Sequence, residues 1–245
     1  MRSMPNIQQT GIAGLRCSFA GPTEFKTHLQ HFALRFRPKW LSRSVLKDNL
    51  ADMHCTHFKQ LGTLSDLEEA LALEHNALEH RPQGDPHRAT ALGNIALYLH
   101  SHFAQLGTLS DLEEALALHR NVLELCPQGH PDRATSLGNL ANSIHSHFQQ
   151  LGTLSDLKET LALQCNGLEL YPQGHPRQAT SLGNLVGSLY SRFKQLGTLS
   201  DLEEVLALER NVLELRPQGH PYRALYCANS WIPSFPVSSS QLCMT

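Results

Sequence analysis

The sequence predicts an all-α protein built as a solenoid of four tandem helix pairs, and three observations predict it. Gly62, Gly107, Gly152 and Gly197 stand 45 residues apart, so near-identical units run in phase from about residue 41 to about residue 219. Each unit holds two stretches with the 3.6-residue periodicity of an amphipathic helix. Prolines fall at the ends of those stretches, where they start or stop a helix. A lone pair of amphipathic helices cannot bury both apolar faces, whereas a pair stacked on its own copy can, so the repetition is structural in origin.

Taken in chain order, residues 1–40 form a degenerate basic segment containing a decayed repeat helix. "HFALRFRP" at 31–38 echoes "RNVLELRP" at 210–217 after a one-residue deletion. Residues 41–227 form the array, with units at about 41–82, 86–127, 131–172 and 176–217 and the truncated start of a fifth. The first helix of a unit carries its apolar stripe at Leu137, Leu140, Ala141, Ile144 and Phe148, repeated at Leu92, Ile95, Ala96, Leu99 and Phe103 and at Leu182, Leu185, Val186, Leu189 and Phe193. The earliest copy is worn, since Lys47 and His54 occupy stripe positions. Pro131 suits a first helical turn, and Gly152 stands where a left-handed residue ends the helix.

The second helix is expected to open on a capping box, Ser65 with Glu68, Ser110 with Glu113 and Ser200 with Glu203. The third unit has Lys158 in place of the glutamate, so its helix start is expected to be weaker. Pro82, Pro127, Pro172 and Pro217 stop each second helix, and the Gln-Gly that follows turns the chain. Beyond Ala224 the repeat phase fails, and Pro233, Pro236 and a serine run predict an irregular or disordered tail over 228–245. The last second helix is then left without a polar capping helix. That predicts a fragment of a longer array, or self-association through an uncapped C-terminal repeat.

These residues resemble the tetratricopeptide repeat family. "DLEEALALHRNVLELCP" at 111–127 is similar to that family's second helix, with Ala115 as the small packing residue and Pro127 as the terminator. "GHPDRATSLGNLANSIHSHF" at 129–148 looks most like the long units of kinesin light chains, and like fungal arrays that accompany caspase-like (CHAT) or nucleotide-binding (NACHT) domains. The resemblance covers about 41–224 and implies a right-handed α-α superhelix whose first helices line a concave groove. One departure concerns the aromatic that usually fills the core of the second helix. Glu74, His119, Gln164 and Glu209 replace it, so the resemblance does not carry tight packing there.

The composition narrows the function. Lys+Arg total 20 against Asp+Glu 22, so the chain as a whole has no charge footprint for nucleic acid or an anionic membrane. Residues 1–48 are the exception, with eight basic residues against Glu24 and Asp48. An Arg-rich, acid-poor start also fits a mitochondrial transit peptide, although Pro5, Pro22 and Pro38 interrupt it. No 18-residue apolar run occurs, and a cytoplasmic location is the default expectation. The 6 cysteines lack CxxC spacing and read as reduced thiols. Of the 15 histidines, His100 with His102 and His145 with His147 are two apart on a helix and project about 200° apart, so they read as a tolerant helix surface and not as metal ligands, and His130, His175 and His220, which precede prolines, read as helix-start caps. No nucleophile, zinc or phosphate-loop motif appears, so no enzymatic activity, cofactor or metal is expected.

The candidate site lies opposite the apolar stripe. At about 100° per residue from Leu92, Thr90 falls near 160°, Ser101 near 180°, Asn94 near 200° and Tyr98 near 240°. These side chains are expected to face away from the core. Asn49, Asn94, Asn139 and Asn184 would form a ladder, flanked by Thr90, Thr135, Thr180, Ser101, Ser146 and Ser191. An asparagine amide offers an acceptor and two donors, which match the edge of an extended peptide, and kinesin light chain relatives use such a ladder. Hydrogen bonding between neighbouring repeats is the alternative role for the same residues. Arg88 and Arg133 lie on the flank of the stripe and are expected to pair with the preceding helix end.

The resulting expectation is a protein-interaction scaffold binding an extended peptide segment of an unidentified protein partner, without nucleic acid or membrane. The rival is the sensor portion of a larger signalling effector whose caspase-like or NTPase region lies elsewhere.

Overall fold

The computed structural model describes residues 43–172 and 174–215. Among them the chain forms eight α-helices and no strand. They are α1 (Arg43–Leu61), α2 (Leu64–Glu79), α3 (Arg88–Leu106), α4 (Leu109–Leu125), α5 (Arg133–Leu151), α6 (Leu154–Glu169), α7 (Gln178–Leu196) and α8 (Leu199–Leu215). Odd-numbered helices are the first helices of the four units and even-numbered ones the second. The expected basic segment at 1–40, the start of a fifth unit and the tail at 228–245 lie outside the described residues. The fold divides into two compact units between Ala91 and Leu92.

In the first unit α1 packs along α2. Ala51, Cys55 and Phe58 are buried on α1, and Leu67, Ala70 and Ala77 on α2. The worn stripe is repaired by polar contacts. His54, buried where other copies carry an apolar residue, places Nδ1 3.2 Å from Asp66 Oδ1. Lys47 Nζ donates to Asn76 Oδ1, and the buried Arg81 pairs with Asp48.

In the second unit α5 packs against both α4 and α6, and α7 against both α6 and α8. The apolar stripe read from the sequence is the core. Leu137, Leu140, Ala141, Ile144 and Phe148 are all buried, as are Leu182, Leu185, Val186 and Leu189. Leu116 of α4 meets Leu140 and Ile144 of α5, and Leu161 of α6 meets Leu185, Val186 and Leu189 of α7. One helix pair's second helix thus closes onto the next pair's first helix, the contact that makes repetition self-consistent.

The loop within each pair shows both what sequence reading caught and what it misplaced. Gly62, Gly107, Gly152 and Gly197 all sit near φ +70°, and each donates its N–H to the phenylalanine carbonyl four residues back at 2.7 Å. That is the expected left-handed stop. The second helices, however, begin one residue before the expected serine, at Leu64, Leu109 and Leu154, with Thr63, Thr108 and Thr153 as N-caps in extended conformation. Ser65 and Glu68 are therefore inside the helix, and no capping box forms on them. Two capping signatures overlap in T-L-S-D-L-E, and the chain uses the Thr-to-Asp frame. The threonine side chain makes no cap hydrogen bond; its carbonyl accepts from the aspartate N–H at 3.0–3.1 Å. Pro131 likewise precedes its helix, which starts at Arg133 after N-cap Asp132.

The positions where an aromatic was missing are filled, but with polar groups. Glu74, His119 and Gln164 are buried, and Glu209 is half-buried.

A candidate peptide-recognition face on the first helices

The ends of the second helices are held by side chains from the start of the next first helix. Arg88 Nη1 donates to the Arg81 carbonyl at 2.6 Å and Arg133 Nη1 to the Cys126 carbonyl at 2.7 Å. Each satisfies a carbonyl left over where the preceding second helix ends, the role expected of both arginines. Gln178 acts differently, its Oε1 accepting from the Gly174 N–H at 3.1 Å.

A second set of contacts was not anticipated. His102 Nδ1 lies 2.7 Å from Asp111 Oδ2 and His147 Nδ1 2.7 Å from Asp156 Oδ2. Arg192 donates twice to Asp201, at 2.9 and 2.7 Å. In the first unit His57 Nδ1 stands 2.5 Å from Asp66 Oδ2. One position per repeat therefore clasps the end of the first helix to the start of the second. Reading His102 and His147 as a tolerant helix surface was wrong, and the missed signal was the pairing itself. His, His, His or Arg always stands nine residues before an aspartate, and all four can donate to a carboxylate.

The histidines two residues earlier link successive first helices. His100 Nε2 lies 2.9 Å from Ser146 Oγ, and His145 Nε2 3.0 Å from Ser191 Oγ. Ser191 Oγ donates to the Gly187 carbonyl at 2.9 Å, which leaves its oxygen to accept from His145. Burial holds both imidazoles below the usual histidine range, consistent with neutral rings.

The candidate residues are not equally available. Asn49 and Thr90 are exposed and belong to the first unit, as does all of α1. In the second unit Asn94, Asn139 and Asn184 are each half-buried. Asn184 Nδ2 donates to Asn142 Oδ1 at 3.1 Å, so here the alternative of bonding between repeats is realised. Thr135 Oγ1 accepts from Arg177 Nη1 at 3.0 Å, and Thr180 is exposed. Ser101 Oγ donates to the Leu97 carbonyl at 2.8 Å, and Ser146 and Ser191 hold the histidine links.

Tyr98, expected to face away from the core, is only 4% exposed. Ser143 and Ser188, its counterparts in α5 and α7, are buried too. The 240° side of a first helix is covered because, in a stack, first helices pack beside one another as well as on second helices. What remains open is a narrower strip near 120–200°. It includes two positions the sequence reading passed over, Leu97 with Asn142 and Gly187, and Ala104 with Gln149 and Lys194. Helices α3, α5 and α7 contain no Asp or Glu, whereas α4, α6 and α8 each contain one Asp and two to four Glu. Among the described residues no group of three or more His, Cys, Asp or Glu side chains converges as a metal site would require, and no helix is long and apolar enough to cross a membrane.

Residues 88–132 match the tetratricopeptide repeat family. Two solved structures are similar in fold. One is a single-substitution variant of a Podosopora anserina putative kinesin light chain with nearly identical TPR-like repeats, 16% identical, TM-score 0.50, covering 78% of this chain and 86% of that one. The other is BtubC (BKLC) from P. vanneervenii, 16% identical, TM-score 0.56, covering 91% of this chain and 80% of that one. At this identity the likeness is one of fold, a solenoid of helical repeats. No curated protein matches the sequence significantly.

Proposed function

Because the chain is a tetratricopeptide repeat protein, a fold suited to protein–protein interaction, we propose that it is a scaffold that binds an extended peptide segment across its first helices. The observation that carries this reading is the open strip on α3, α5 and α7. An in-phase asparagine recurs there on each helix, and no carboxylate stands on those helices to compete for peptide N–H groups. An amide side chain can accept from one backbone N–H and donate to one carbonyl, so it reads an extended chain regardless of that chain's side chains. Hydroxyls at Thr180 and Ser101 add further polar contacts. The histidine–serine and asparagine links between successive helices fix the spacing of the strip, which limits the ordering cost of binding.

A peptide-display selection on the full chain tests the proposal, repeated with Asn94, Asn139 and Asn184 all changed to Ala. Selected peptides should lose at least about tenfold in affinity for the triple variant, the loss expected for one to two hydrogen bonds. Unchanged affinity would refute recognition by the asparagines.

A further inference from the structure

The three asparagines of the second unit occupy one repeat position, yet the residue each leans on differs. Two contacts fix the geometry between α5 and α7. Asn184 Nδ2 donates to Asn142 Oδ1, and Arg177 Nη1 donates to Thr135 Oγ1, both across 42 residues. The histidine–serine links recur from α3–α5 to α5–α7 across 46 residues, so the two joints share one lattice. One repeat earlier, the 42-residue offset pairs Asn139 with Leu97. Leucine has no side-chain acceptor, so the bond that engages Asn184 cannot be repeated there. Asn139 is half-buried and makes no side-chain hydrogen bond among the described residues, while Leu97 is 41% exposed.

A half-buried amide without a side-chain hydrogen bond among the described residues, beside an exposed large apolar side chain, has the composition of a recognition subsite. We propose that Asn139 and Leu97 form such a subsite for an extended peptide. Asn139 hydrogen-bonds one peptide unit, Leu97 packs against one large apolar side chain, and Asn184 takes no part. This rests on the peptide-binding reading above. An extended strand fits both halves, because its backbone groups and its side chains point in different directions at each residue. The residues at 97, 142 and 187 are Leu, Asn and Gly while the asparagines stay constant. At the joint where the neighbour is Leu97 the amide reads backbone and the neighbour reads side chain, whereas at the joint where it is Asn142 the amide is engaged within the protein.

The test selects random 12-residue peptides on the full chain and measures the winners by fluorescence anisotropy. The winners should share one large apolar residue. Asn139→Ala should weaken them about tenfold, and Asn184→Ala less than about threefold. Asn142→Leu, which copies the α3 joint onto the next one, should release Asn184. Selection on it should then add a second apolar residue about three positions from the first, the distance between neighbouring helices divided by the rise of an extended strand. Melting followed by circular dichroism should be unchanged in Asn139→Ala, whereas Asn184→Ala and Asn142→Leu lose the bond between Asn184 and Asn142 and should melt only about a few degrees lower, with the fold intact.

Equal losses for Asn139→Ala and Asn184→Ala would overturn the subsite while leaving the asparagine ladder standing. No loss for either would overturn the peptide-binding reading itself. Sedimentation of the wild type as a dimer that Leu97→Asp dissociates would show a second copy covering Leu97, and would also overturn the subsite.

Discussion

His57, His102, His147 and Arg192 each meet an aspartate at the loop of their helix pair, whereas Glu74, His119, Gln164 and Glu209 sit at one place midway along the second helices with no common partner. Both columns are polar and both recur every 45 residues. In the first, the partner is part of the repeat, so any donor that reaches the carboxylate will serve. In the second, the repeat supplies no common partner, and side chains of different charge share one buried or half-buried position. His119 is only 1% exposed, and its Nε2 has no hydrogen-bond partner. Polar groups in a repeat are thus stabilising where the lattice duplicates both halves of a contact, and a liability where it duplicates one.

The largest expected break in this contrast is at His119. Burial, with a smaller effect from His100, lowers its pKa to about 4. The unfolded chain takes up a proton near the ordinary value of 6.5 and the folded chain does not, so stability is complete above that pH. It is lost as pH falls towards 4, by roughly 3 kcal/mol for this group. His119→Leu should remove that part of the acid sensitivity and stabilise the neutral protein by about 1 kcal/mol. Urea unfolding at about pH 7 and about pH 5, on either side of the ordinary histidine range, checks both. An unchanged pH dependence in the variant would place the acid sensitivity elsewhere.

The clasp column should respond next. Asp201 is buried and accepts two bonds from a guanidinium, so Asp201→Ala should cost about 2 kcal/mol, allowing for the partial exposure of Arg192. Asp156→Ala loses a single contact and should cost about 1 kcal/mol. Equal melting shifts for the two would contradict the ranking by bond number. The smallest effect belongs to Lys158, exposed in the second turn of α6. Lys158→Glu should gain a few tenths of a kcal/mol at low salt and nothing at high salt.

The same contrast, between contacts a repeat duplicates and contacts it does not, separates what the sequence could express from what it could not. The 45-residue phase, the apolar stripes, the left-handed glycines and the reach of Arg88 and Arg133 to the preceding helix end were legible, because each depends on local geometry or on one periodicity. The N-caps were misplaced because Thr63 and Ser65 both precede an acid by three residues, and only packing chooses between the frames. Tyr98 was assigned to the wrong side because a single helical wheel has one buried face, whereas a helix within a stack has neighbours on more than one. The difference between Asn139 and Asn184 was hidden for a similar reason. It resides in residues 42 positions earlier, Leu97 and Asn142, and no pattern within one helix reveals which of them stands opposite.

Recognition on the first-helix strip is tested most directly by nuclear magnetic resonance of the full chain, titrated with a peptide chosen by display. Shifts should be confined to the strip, with the Asn139 side-chain amide and the Leu97 methyl groups moving most and the Asn184 amide little. Shifts confined to the acidic second helices α4, α6 and α8, with Asn139 and Leu97 unmoved, would contradict peptide recognition on this face.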